Sequence, residues 1–245
     1  MKTIGIIGGL SPESTMKYYQ WINEGVRAEL GGLHSARIML ASVDFAEFTD
    51  LKENGDWDTQ ARILAQQAQA LERAGADFIL LATNTMHRVA DVIEDAISVP
   101  FLHLADVTAR AITAQGMETV GLLGTRYTME LDFYKGRLKD HGVMTLVPDE
   151  AGREIVNRTI YEELCGGQVN DNSRAAFRKI IAELAEAGAQ GIILGCTELT
   201  MLVRPEDSPV PLFDTTKIHV EEAVKQAFLQ AGTSKAPSLF PHCRS

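Results

Sequence analysis

AGADFILLATNTMH at residues 74–87 and AGAQGIILGCTELT at residues 187–200 are two versions of one segment, 113 residues apart. Ala74, Gly75 and Ala76 match Ala187, Gly188 and Ala189, Ile79 and Leu81 match Ile192 and Leu194, and Thr83 falls on Cys196. An apolar run of four to five residues after a glycine turn reads as a buried parallel strand. The polar residues that follow stand where open α/β sheets place their ligands, beyond the carboxyl end of the strand.

Two further landmarks repeat at similar offsets. IGIIGGL (4–10) resembles VGLLGTR (120–126), with Gly5 and Gly8 matching Gly121 and Gly124. Val99-Pro100 recurs as Val210-Pro211, each followed by apolar residues and then an acid, Asp106 and Asp214. Three landmarks in one order indicate two copies of a half-domain. The expected fold is α/β, with two similar Rossmann-like parallel-sheet halves related by a pseudo-twofold axis and the active site in the cleft between them. Residues 1–114 with 214–230 form the first half, 115–213 the second, and 231–245, which lacks periodicity, a C-terminal extension carrying Cys243.

The expected strands are 3–9, 36–45, 77–82 and 100–104 in the first copy, and 119–124, 143–147, 190–195 and 211–213 in the second. Ser11 is a plausible N-cap with Pro12 at the first helical position. The acidic, glycine-containing segment 44–58 reads as a loop, with Asp58 capping a helix through Ala74 and a further helix over 86–96. Between its second and third strands the second copy is expected to carry helices at 151–165 and 172–187, against one in the first copy. The last helix, 215–230, is expected to pack back on the first half.

Bulk properties narrow the partners. A chain of 245 residues, 45% hydrophobic, buries a sizeable core. A net charge of −10 argues against nucleic acid or an anionic membrane surface. No run is long enough to span a bilayer, and MKTIGIIGG lacks the features of a signal peptide, so a cytoplasmic location is expected. Three cysteines do not make a disulfide framework, and the six histidines show no ligand spacing, so no metal is expected. GIIGGLSPEST is neither a dinucleotide fingerprint nor a phosphate loop; the turn at Leu10 and Ser11 suits a small anion such as a carboxylate.

If the two halves face each other, Thr83 and Cys196 approach a bound molecule from opposite sides, the geometry for removing a proton from one face of a carbon and returning it to the other. A cysteine suits that task where its pKa is lowered by helix ends and hydrogen bonds. Asn84, Thr85, Thr197 and Glu198 follow the two strand ends and Thr125 ends the other repeated strand; the hydroxyls, the amide and free backbone amides there suit a substrate carboxylate and its developing enolate charge. Against this stands a buried structural thiol, a common fate of cysteine.

ILLATNTMH and GIILGCTELT resemble the two active-site segments of the aspartate/glutamate racemase family, whose patterns are CNT and GCTE, and IGIIGGLSPEST resembles its N-terminal signature. The resemblance covers residues 1–230. It implies a racemase that uses no cofactor, commonly a homodimer, in which two cysteines work on opposite faces of the α-carbon of an amino acid. The first of those cysteines is Thr83 here. A hydroxyl is a far poorer base than a thiol near neutral pH, so the resemblance points to a direction-biased racemase of an acidic amino acid. Two alternatives are a one-cysteine decarboxylase or isomerase of a small dicarboxylate, as in the similar arylmalonate decarboxylases, and a non-catalytic carboxylate-binding relative.

Overall fold

The computed structural model describes residues 1–229, and the expected C-terminal extension lies outside the described residues. Two four-stranded parallel sheets organise the chain. The first contains β1 (Ile4–Gly8), β2 (Ile38–Ser42), β3 (Phe78–Leu81) and β4 (Phe101–Leu102) in the order β2-β1-β3-β4. The second contains β5 (Thr119–Gly124), β6 (Met144–Leu146), β7 (Ile192–Gly195) and β8 (Leu212–Asp214) in the equivalent order β6-β5-β7-β8. Every residue of β1, β3 and β7 is buried, as strands covered on both faces require.

The repeated glycines have a packing reason. Gly5 pairs with Ile79 of β3, and a Cβ on Gly5 would come within 3.0 Å of Ile79 and Ala76. Gly121 pairs with Ile192 of β7, and a Cβ there would come within 2.6 Å of the Ile192 side chain. The same close approach is thus built into both copies.

Helix α1 (Pro12–Leu30) begins as its sequence suggests, with the Ser11 side chain accepting from the Ser14 amide. The segment read as a loop departs from expectation: α2 (Phe45–Glu53) occupies it, capped by Asp44 and anchored by buried Phe48. Helix α3 (Trp57–Ala74) is capped by Asp56 rather than Asp58 and ends at left-handed Gly75. A 3₁₀ turn (Thr85–Val89) precedes α4 (Ala90–Asp95), replacing one expected helix with two short pieces. Helix α5 (Leu104–Thr113) closes the first copy.

In the second copy, α6 (Arg126–Glu130) and α7 (Asp132–Asp140) follow β5. Helix α8 (Glu150–Arg158) runs into a π-helical turn (Thr159–Glu163) and a 3₁₀ turn (Leu164–Gly166) where a single helix was expected. Helix α9 (Asp171–Glu186), the short α10 (Leu199–Leu202) and α11 (Thr215–Phe228) complete the set. Because α2 exists, both copies carry two helical segments between their second and third strands, and the expected difference between them disappears.

The two halves exchange their last helices. Leu104, Ala105, Ala109 and Ile112 of α5 pack with Val120, Leu122 and Ile193 of the second sheet. That stretch belongs to the first half in the division expected from sequence. In the opposite sense, Val220, Ala223, Val224 and Ala227 of α11 pack with Ile4, Ile6 and Leu80 of the first sheet, as the sequence suggests for the final helix. An ionic contact adds to this seam: Arg137 of α7 grips Asp106 of α5 through Nε at 2.7 Å and Nη2 at 3.0 Å, and reaches Glu94 of α4 at 2.9 Å.

Candidate active site

The carboxyl ends of β3 and β7 converge on one cavity of about 240 Å³. Thr83 stands two residues past β3 and Cys196 directly follows β7. Both line the cavity, as do Leu10, Ser11, Asn84, Thr85, Thr125, Thr197 and Glu198, so every residue singled out from sequence reaches one space. Around it polar contacts tie the halves together. Asn84 Nδ2 donates to Thr215 Oγ1 at 3.3 Å, and Thr215 Oγ1 donates to the Leu194 carbonyl at 2.9 Å. The Thr85 and Thr125 hydroxyls lie 3.3 Å apart, and Lys17 Nζ donates to the Thr197 carbonyl at 3.1 Å.

These bonds orient Asn84. The Thr215 proton is committed to Leu194, so the atom Asn84 presents to Thr215 must be its amide nitrogen. Its Oδ1, on a side chain only 7% exposed, has no hydrogen-bond partner among the described residues. An acceptor left unpartnered beside a cavity suits a ligand donor.

Cys196 is held as a thiol. Its Sγ donates to Glu198 Oε2 at 2.8 Å, and the Thr197 hydroxyl donates to the same oxygen at 2.9 Å. Burial and then the Glu198 charge push the thiol pKa well above its usual value. The shift runs opposite to the lowering that helix ends and hydrogen bonds can give: desolvation and the neighbouring carboxylate outweigh the backbone hydrogen bond at Glu198. A thiolate formed here would be a stronger base than a free cysteine, and Glu198 is in place to receive its proton.

The remaining lining comes from residues that motif reading missed. Phe45, Phe48, Thr49 and Lys52 present one face of α2 at i, i+3, i+4 and i+7. That spacing behind an Asp44 cap was visible in the sequence. The Lys52 ammonium lies 3.3 Å from the Tyr161 hydroxyl and 5.1 Å from its ring centroid, so α2 and the π-helical turn meet across the cavity. Lys52 has no carboxylate within ion-pair distance among the described residues, and desolvation lowers its pKa. Burial pushes Tyr161 up, and Cys165, also at the cavity, is raised to about 11 by burial and by Glu198. The turn at Leu10 and Ser11 offers fewer amides than expected, since Gly9 N donates to Thr15 Oγ1 and Ser14 N to Ser11 Oγ. Among the described residues no three His, Cys, Asp or Glu side chains are grouped to hold a metal, and no helix is long and apolar enough to cross a membrane.

Residues 7–223 match the Asp/Glu/Hydantoin racemase family. The chain belongs to that family. A candidate Asp/Glu racemase from Yersinia pestis superposes with a TM-score of 0.91 at 54% identity, covering 94% of this chain and 100% of that one. An aspartate racemase homologue from Pyrococcus horikoshii OT3 gives 0.83 at 37% identity, over 93% and 99% of the two chains. The broad specificity amino-acid racemase RacX of Bacillus subtilis (strain 168) is 26% identical over 216 residues, 87% of this chain and 92% of its own length. Racemases are isomerases, and the two-sheet architecture described above is the architecture of this family's solved members.

Proposed function

We propose that this protein racemises an acidic amino acid by proton transfer at the α-carbon, without pyridoxal phosphate, and that it works preferentially in one direction. The observation that carries this reading is the Cys196–Glu198 contact in a cavity also lined by Thr83. Glu198 takes the thiol proton as the substrate enters, leaving a thiolate and a carboxylic acid. The thiolate then removes the α-proton, and the Thr83 hydroxyl supplies a proton to the other face of the carbanion; water reprotonates Thr83, and the hydroxide so formed takes the proton held by Glu198, which restores the starting state. Thr83 is a weak base, so the asymmetry shows as α-proton exchange from one enantiomer or as unequal saturation, with kcat/KM equal in both directions.

Binding follows from the same cavity. Turned toward the cavity, Asn84 Oδ1 suits the α-ammonium group, and the hydroxyls of Thr85 and Thr125 suit the α-carboxylate, the Thr197 proton being committed to Glu198. The Lys52 ammonium, with no ion-pair partner among the described residues, supports a second carboxylate on the substrate. A homodimer, from the family resemblance, and a cytoplasmic location, from the sequence features, are part of this reading.

A second reading, a one-cysteine decarboxylase of a small dicarboxylate, is favoured by the absence of a thiol at 83. Proton NMR in deuterium oxide separates the two, with the enantiomers of aspartate and glutamate supplied singly. Loss of the α-proton signal from one enantiomer, with the other appearing, is the expected result. Inert amino acids together with carbon dioxide release from a substituted malonate would replace racemisation with decarboxylation.

A further inference from the structure

His87 does not line the cavity, yet it is bonded to the residue that does the opposite-face chemistry. Its Nδ1 lies 2.7 Å from the Thr83 carbonyl oxygen, and its Nε2 lies 3.3 Å from the Leu104 amide nitrogen. These partners settle the tautomer. A carbonyl only accepts, so Nδ1 carries the hydrogen; an amide N–H only donates, so Nε2 offers its lone pair. The ring is neutral, since a cation would turn two N–H groups against each other at Leu104. It is 2% exposed and packed edge-to-face against His103 at 4.6 Å between centroids.

The two bonds span two elements that the chain must hold in register. One end fixes the peptide between Thr83 and Asn84; the other is tied to the first residue of α5, whose positive end also disfavours a charged ring. Burial, followed by His103 and His219, pushes the His87 pKa well below its usual value, so the bond to Thr83 persists across the working pH range. Threonine is β-branched and stiff at χ1, so the direction of its hydroxyl follows its backbone.

We propose that His87 is the positioning residue for Thr83, aiming the hydroxyl that returns the proton while leaving the Cys196 side untouched. The inference rests on the racemase reading and deepens it. It assigns His87 to one half-reaction, which a merely structural role would not do. Removing a proton and restoring it on the same face needs only Cys196, and this appears as deuterium entering the recovered starting enantiomer. Inversion needs Thr83 as well.

The test measures both rates in deuterium oxide, on the exchanging enantiomer of aspartate or glutamate, for the unmodified protein, His87→Phe and His87→Gln. In His87→Phe, deuterium entry with retention should stay within about threefold while inversion falls about tenfold or more, in line with the sensitivity of catalysis to misplacement. His87→Gln, whose amide can donate to the Thr83 carbonyl, should recover part of the inversion. Equal losses in both rates, or no loss in either, overturn the assignment. Absence of both reactions in the unmodified protein, with every aspartate and glutamate enantiomer, overturns the racemase reading and this inference with it. Nitrogen-15 NMR of the unmodified protein supplies a readout that does not depend on a variant folding: a hydrogen on Nδ1 from pH 5 to 8 supports the assignment, and one on Nε2, or a titrating ring, refutes it.

Discussion

The Cys196 thiol is aimed at a carboxylate: Sγ lies 2.8 Å from Oε2 of Glu198, two residues along the chain. That carboxylate acts in two opposing ways. It raises the energy of the thiolate by its charge, and in the proposed mechanism it is the acceptor through which the thiolate forms. Glu198→Gln should therefore lower the pH midpoint for alkylation of Cys196, read by mass spectrometry of its peptide, while slowing α-proton removal by about 10²–10⁴. An unchanged midpoint would mean that the charge of Glu198 is not felt at the sulfur.

The contrast between thiol and hydroxyl sets the second expectation. Cys196→Ser should abolish α-proton exchange, and Thr83→Cys should introduce exchange from the enantiomer that the unmodified protein leaves alone. Proton NMR of each enantiomer in deuterium oxide reads both. The equilibrium ratio stays fixed in every variant, since a catalyst cannot move it. Equal exchange from both enantiomers that survives Cys196→Ser would remove this pair from the chemistry.

Lys52→Met should weaken aspartate and glutamate turnover selectively, by about 10- to 100-fold in kcat/KM, the scale of a hydrogen bond to a charged group. Activity on uncharged amino acids, where measurable, should change little. A uniform loss across all substrates would show that Lys52 shapes the cavity rather than reading a second carboxylate.

Three buried histidines give the fold an acid limit. Burial, followed by neighbouring charges, holds His87 well below its usual range and His103 at about 2, and burial lowers His219 to about 4. In the unfolded chain each charges near pH 6.5, so below that pH the unfolded state binds more protons than the folded one. Stability is thus full above about pH 6.5 and falls as pH drops, by about 1.4 kcal/mol per pH unit for each histidine until its folded value is passed. The loss at His219 levels off near pH 4. Urea unfolding at pH 7.5, 6 and 5 tests this, and a flat profile would contradict it.

The two strand ends were legible because a repeat is a comparison within the chain: Gly5 with Gly121 and Thr83 with Cys196 mark equivalent places without any outside reference. Residues 44–58 carry a weaker signal: the Asp44 cap and the face formed by Phe45, Phe48, Thr49 and Lys52 span only nine residues, among acidic and glycine positions that equally suit a loop. Lys52 was hidden with that helix. Tyr161 was hidden because a π-helical turn shifts which side chains share a face. The chemistry of Cys196 escaped for another reason: a pKa depends on the surrounding solvation and on the direction in which Glu198 points, and spacing encodes neither.

The exchange of α5 and α11 bears on how the chain could have arisen. The closing helix of each copy packs mainly on the sheet of the other, so one copy alone would leave most of the apolar face of its last helix uncovered. A single-copy ancestor with this geometry would have been an obligate pair, each subunit lending its terminal helix to the other. Gene fusion then converts a mutual loan between two chains into a covalent certainty, and frees the two equivalent strand-end positions to become different, as Thr83 and Cys196 are.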